Sequence, residues 1–206
     1  MVLRLVGSEM CIRDSKGGSP NAAGLRKSVY TEDLAVKHKF PLVRLHEGGG
    51  GSVAGPSKEK KGYGGDPVFA RSRFKSVAQT LKEVPVVSAA LGPVAGLPAS
   101  RFVGSHFRIM VKDNAQILVA GPAVVSRAFG KDFTKEELGG SDVHKKNGVT
   151  DNIAESEEDA FNQIKKFLSF FPANIYELPP KKDSKDEIDR SCLLYTSPSP
   201  RDVVPS

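Results

Sequence analysis

The apolar positions of this chain fall into short blocks whose spacing switches between that of a helix and that of a strand. Leu25, Val29 and the Leu34 to Val36 patch suit one face of a helix from Asn21 to Lys39. FPLVRL, Phe40 to Leu45, reads as the next strand and runs straight into His46, Glu47 and the glycines Gly48, Gly49, Gly50 and Gly51. After a polar, Gly-rich and basic stretch from Ser52 to Gly65, Asp66 and Pro67 supply an N-cap and a first helical position. Phe69, Phe74, Val77 and Leu81, with Arg73 among them, then recur at the spacing of one buried helical face. The helix delivers the chain to VPVVSAALGPVAGLPASR, Val84 to Arg101.

That stretch is the centre of the pattern. Val84, Val86, Val87, Ala89, Ala90 and Leu91 form a nearly unbroken apolar run of the kind found in strands covered on both faces, and Gly92 is expected to end it. A Gly-Pro turn follows, and Gly96 and Leu97 open a helix. The N–H groups at a helix start have no intrahelical acceptor, so this position suits an anion or a developing oxyanion. An ordinary strand-to-helix connection of an α/β domain has the same appearance.

Farther along, His106 to Lys112 reads as a strand, Asn114 as a turn and Gln116 to Ala120 as another short strand. Gly121 and Pro122 start a helix through Val124, Val125 and Ala128. Thr134 and Glu137 have capping-box spacing for a short helix ending at Gly139 and Gly140. The clearest amphipathic helix is Glu155 to Phe171, with Ala160, Phe161, Ile164, Phe167 and Leu168 on one side and Pro172 as its stop. Tyr176 to Arg190, proline-bearing and dense in charge, reads as an interdomain linker. Strands alternating with helices, and glycines placed just after strands, predict an α/β domain with a largely parallel sheet.

Two terminal segments change how the cysteines are read. LVGSEMCIRDS, Leu5 to Ser15, is what a sequencing-library transposase adapter gives on translation, and CLLYTSPSPRD, Cys192 to Asp202, is its counterpart read from the opposite strand. Residues 1–15 and 191–206 are therefore expected to be scars outside the fold, leaving 16–172 as a partial domain and 173–190 as a linker. Both cysteines, Cys11 and Cys192, lie in those scars, so no disulfide, thiolate nucleophile or cysteine metal site is expected. The net charge of +6 is unaffected, because each scar carries as many acidic as basic residues. It suits an anionic ligand and is too dispersed to indicate nucleic acid. No apolar run is long enough to span a membrane.

Side-chain chemistry is sparse. The chain lacks a G-x-G-x-x-G fingerprint, a Walker lysine, a G-x-S-x-G elbow and an H-E-x-x-H pair. His38, His46, His106 and His144 are scattered without ligand spacing. A site built from backbone N–H donors is the most economical chemical reading.

HEGGGG at His46 to Gly51, GPVAG at Gly92 to Gly96, MVKD at Met110 to Asp113, AGPAVV at Ala120 to Val125 and KEELGGSDVHKKNGVTD at Lys135 to Asp151 recur here in the order of a known family. The chain resembles the carboxyltransferase subunits of biotin-dependent acyl-CoA carboxylases, over essentially all of Lys16 to Pro172. The resemblance implies a crotonase-like fold of stacked ββα units around an acyl-CoA. It also implies carboxyl transfer from carboxybiotin to the α-carbon of a short-chain thioester, with biotin taking the α-proton. Two backbone N–H groups stabilise the enolate in the family; carried over, they fall at Gly96 and Leu97. Gly48 to Gly51, with Ala95, would line the acyl-CoA pocket. Leu97, where glycine is frequent, and His46-Glu47, where Asp-Ser is frequent, leave acyl specificity open. The implied partners are a biotin carboxylase or biotin carrier subunit and, in the full-length protein, further copies of itself. The second domain, which supplies the biotin side, lies outside the sequence, so the isolated chain is expected to be inactive.

Two other readings stand beside this one. A crotonase-type hydratase or decarboxylase would need an acid near the oxyanion site, for which Glu47 is the obvious residue. A non-catalytic acyl-CoA-binding or assembly module would use the same fold without turnover.

Overall fold

The computed structural model describes residues 22–49, 73–172 and 176–179. Its core is five strands, β1 (Leu42–Gly49), β2 (Val86–Ala95), β3 (Phe107–Val111), β4 (Gln116–Leu118) and β5 (Asn152–Ala154), and every pair among them is parallel. The helices are α1 (Ala22–His38), α2 (Arg73–Glu83), α3 (Leu97–Val103), α4 (Pro122–Phe129), α5 (Lys135–Gly139), α6 (Ser141–Asn147) and α7 (Glu157–Leu168).

β2 is the spine. One edge pairs with β1 along its length; the other pairs first with β3, Val87 to Ala90 beside Phe107 to Met110, and then with β4, Pro93 to Ala95 beside Gln116 to Leu118. Gly92 does not end the strand as its sequence suggests. The chain continues through Gly92-Pro93 in a bulge: His46 is level with Ala90, yet Gly48, two residues on, is level with Val94. A bulge is where a sheet tolerates proline and glycine inside a strand, because ladder bonds are locally forfeited there. β3 and β4 pair with β2 on either side of Leu91-Gly92, and α4 follows β4 as α3 follows β2. Asn114 in the turn between β3 and β4 donates to Leu91 O beside the bulge.

The strand alternation of β1 buries Leu42, Arg44 and His46 and leaves Val43 and Leu45 half-buried. Leu42 and Val86 pack with Ala35 of α1 and with Val84, against Leu81 of α2. Ala160 and Ile164 of α7 enter the main core with Val87, Ala89, Ile109, Met110 and Phe102, as the amphipathic spacing requires. Phe107 stacks on Phe167 at 4.9 Å between ring centroids.

Most helical expectations hold within a residue or two, including the Thr134/Glu137 capping box, whose two reciprocal bonds are both present. The strand expected at Phe40 begins at Leu42 and extends through Gly48 and Gly49, so those glycines lie within the ladder rather than beyond it. Phe74 is 66% exposed and is not part of the buried face of α2. The expected cap at Asp66-Pro67, Phe69, the Ser52 to Gly65 loop, Gly50, Gly51 and the two adapter-like segments lie outside the described residues.

Candidate functional site

The carboxyl ends of β1 and β2 lie side by side, with Gly48 beside Val94 and Gly49 beside Ala95. Gly96 and Leu97 follow directly, so five of the seven residues singled out from sequence meet at one edge of the sheet; Gly50 and Gly51 are not described. Parallel strands leave their ligand crevice outside this end. Gly48, at φ 104°, and Gly96, at φ 71° and ψ −129°, hold backbone conformations that side chains disfavour, so glycine is needed at both positions.

The donor inventory differs from the expected pair. Gly96 N–H is not free: it donates to Leu118 O at 3.0 Å, closing the β2–β4 ladder. Gly96 O accepts from Ser100 N–H at 3.1 Å, which makes Gly96 the N-cap of α3. Pro98 has no N–H. Leu97 N–H, at the first helical position, has no intrahelical acceptor and no backbone partner among the described residues, which leaves it as the available member of the pair. The Leu97 side chain is half-buried.

Beneath this edge lies a buried polar assembly that sequence reasoning missed. Glu32 of α1, 2% exposed, accepts from Arg44 Nη2 of β1 at 2.8 Å, from Arg101 Nη2 of α3 and from Ser76 Oγ of α2 at 2.6 Å. Arg101 Nη1 also donates to Ser28 at 2.9 Å. Arg44 Nη1 donates to the carbonyl of the α3 C-cap Gly104 at 2.9 Å and, at 3.4 Å, to Arg101 O in the last turn of α3. Burial pulls the Arg44 guanidinium below its ordinary pKa, Glu32 raises it and Arg101 lowers it. Beside this cluster His46 Nε2 lies 3.1 Å from Ser88 Oγ, which lies 2.7 Å from Ser105 Oγ, which donates to Arg101 O at 3.2 Å. Burial, reinforced by the charges of Arg44 and Arg101, pushes the His46 pKa down to about 3, so its ring is neutral near pH 7. The signal for the assembly was present in the strand period: Arg44 and His46 share the buried face with Leu42.

Glu47, the acid of the hydratase reading, lies across Gly92; a Cβ there would stand 2.8 Å from Glu47 Cγ and 2.9 Å from Oε1. Its carboxylate therefore covers the bulge of β2. Among the described residues no group of three or more His, Cys, Asp or Glu side chains could hold a metal ion, and no helix is long and apolar enough to cross a membrane.

A parallel sheet whose strands alternate with helices, with β2 bulged at Gly92-Pro93, is the crotonase-like α/β arrangement of carboxyltransferase domains. The chain belongs to the carboxyl transferase domain family, which it matches over residues 9–206. Among its relatives is the methylmalonyl-CoA decarboxylase subunit alpha of Veillonella parvula, 32% identical over 176 residues, covering 85% of this chain and 33% of that protein. Another is the human mitochondrial propionyl-CoA carboxylase beta chain, 29% identical over 175 residues, covering 84% and 31%. Among solved structures, the hexameric transcarboxylase 12S with hydrolysed methylmalonyl-coenzyme A bound superposes with a TM-score of 0.63 at 25% identity, over 91% of this chain and 35% of that one. The chain thus spans about a third of the length of these relatives.

Proposed function

We propose that this chain forms the acyl-CoA side of a carboxyltransferase, in which a carboxyl group passes from carboxybiotin to the α-carbon of a short-chain acyl-CoA. The observation that carries the reading is the meeting of Gly48, Gly49, Ala95, Gly96 and Leu97 at the carboxyl edge of β1 and β2, with the Leu97 N–H available there. Leu97 N–H donates to the thioester oxygen. Its share of the stabilisation grows as the α-proton leaves and negative charge builds on that oxygen, and one such donor is worth on the order of 3 kcal/mol. Gly96 N–H joins it only if its bond to Leu118 O opens. Gly48 and Gly49, beside Ala95, line the acyl-CoA pocket and let a ligand approach the backbone, and the family reading adds Gly50 and Gly51, which lie outside the described residues.

Biotin is the carrier of the transferred group. The residues gathered at this edge are backbone donors and small side chains suited to a thioester carbonyl, and no contact to biotin is assigned to them. Its carrier subunit, and the association of the full-length protein with further copies of itself, follow from the same family reading.

The test is acetyl-CoA and propionyl-CoA binding to wild type and to Leu97→Pro. Proline keeps a helix-compatible φ at the first position and removes the donor, and Leu97→Ala, which keeps the N–H, controls for the lost side chain. Proline at Gly96 would be a poor probe, because φ 71° excludes it and the bond to Leu118 would be lost. Saturable binding to wild type that weakens in folded Leu97→Pro is expected, and equal binding by both proteins would remove Leu97 from the site.

A further inference from the structure

We propose that Arg44 is a positioning residue for α3: it anchors the end of the helix remote from the site and so aims Leu97 N–H at the acyl carbonyl. The inference rests on the donor role assigned to Leu97 above. α3 has only seven residues, and Leu97 and Arg101 are about 6 Å apart along its axis, given 1.5 Å per residue. The helix packs against β1 and β2. It buries Ala99 and Phe102, and the Phe102 ring meets the His46 ring edge-on at 5.9 Å. Polar bonds hold both of its ends: Gly96 N–H to Leu118 O at the start, and a larger set at the C-terminal end.

Arg44 makes the bonds of that end that reach back to β1. Its Nη1 serves both Arg101 O and Gly104 O, while Nη2 holds Glu32, which also holds Arg101. One planar fork from β1 therefore grips the backbone of α3 and, through Glu32, its side chain. β1 is also the strand that ends in Gly48 and Gly49, so the guanidinium ties the helix carrying the donor to the strand carrying the opposite wall of the crevice. The hydroxyl of Ser105, joined through Ser88 to His46, holds Arg101 O from a second direction.

The arrangement is poorly explained as a device for stability. A buried and a partly buried guanidinium share one carboxylate, and the Nε atoms of both Arg44 and Arg101 are buried without a partner among the described residues. Buried charges of this kind cost desolvation that apolar replacements avoid, and what they supply in return is defined geometry.

The experiment is isotope-edited infrared spectroscopy of acetyl-CoA, labelled with carbon-13 at the thioester carbonyl, bound to the whole chain. The carbonyl band of the bound fraction reports donor alignment and is insensitive to a change in overall stability. A shift to lower wavenumber is expected in wild type, lost for the most part in Arg44→Met. Arg44→Lys, whose ammonium reaches one of the two carbonyls, recovers part of it. If Arg44→Met does not fold, Ser105→Ala decides the matter, with a smaller loss of the same sign expected. An unchanged band in folded variants whose melting temperature alone falls would overturn the positioning role. Absence of any shift in wild type would overturn the reading of Leu97 and this inference with it.

Discussion

His46 shows what burial does to one residue. Its ring is walled in by Phe102 and Ser88 and lies within the field of two guanidiniums, so protonation is resisted down to about pH 3. In the unfolded chain the same imidazole titrates near its ordinary value of about 6.5. Between those two values the unfolded state binds the extra proton, so stability is intact above about pH 6.5 and declines as the pH falls toward 3. The loss reaches a few kcal/mol at the lower end, at about 1.4 kcal/mol for each pH unit between the two pKa values. Chemical denaturation of wild type and His46→Phe across this range checks it. The variant is less stable at pH 7, where Ser88 loses its bond to His46 and keeps only that to Ser105, and is expected to show a shallower decline. An identical slope in both proteins would exclude His46 as the titrating group.

At the scale of elements, the short strand β4 is held in place by its neighbours. Gly139 of α5 lies against it so closely that a Cβ would stand 2.1 Å from Ile117 O and 2.8 Å from Leu118 Cδ2. His144 of α6 lies with Nε2 2.8 Å from Ile117 O. Leu118 O in turn accepts Gly96 N–H, so any displacement of β4 is passed to the N-cap of α3. Gly139→Ala is therefore expected to destabilise the fold by about 1–3 kcal/mol, the usual cost of overpacking against backbone that cannot yield. It should also weaken acyl-CoA binding, whereas Gly130→Ala should leave binding unchanged, since a Cβ there meets nothing within 4 Å and only its φ of 66° is strained. Equal binding by wild type and Gly139→Ala would show that β4 does not govern the site.

The elements also mark how far the sequence could be read. α7 was legible because five apolar positions repeat at helical spacing, and α5 because Thr134 and Glu137 name its cap. α6 and β5 were not anticipated: SDVHKKN carries one apolar residue, and Asn152 to Ala154 is too short to show a period. The end of β2 was misplaced because Gly92-Pro93 has the local chemistry of a turn, and only pairing with β1 and β4 keeps it in the sheet. The site followed the same division. The glycines and Leu97 could be found from local pattern and family resemblance, but the acceptor of Gly96 N–H lies 22 residues away and became visible only with the fold. Glu32, Arg44 and Arg101 belong to three separate elements, so only the inward position of Arg44 and His46 on β1 hinted at their meeting.

For the whole molecule, binding and turnover are separable. The edge where Gly48, Gly49, Ala95 and Leu97 meet is made by adjacent strands of this chain, whereas the chain spans about a third of the length of its relatives. A ligand that engages only the folded state stabilises it by about 2.7 kcal/mol at a hundredfold excess over Kd. In a domain of this size that corresponds to a rise of about 5–10 °C in melting temperature. Acetyl-CoA is expected to produce such a rise in wild type and a smaller one in Leu97→Pro at the same concentration. Carboxylated product is expected from neither, even with a carboxybiotin-loaded carrier supplied, because polarising the thioester does not by itself bring a carboxyl donor to the α-carbon, and proximity of the two reactants is a large part of the barrier. Calorimetry with and without ligand, alongside an assay for carboxylated acyl-CoA, separates the cases. Stabilisation without product matches an acyl-CoA half-site; product from the isolated chain would show that the donor side is also contained in it; and no stabilisation of a folded chain would move acyl-CoA recognition away from this edge.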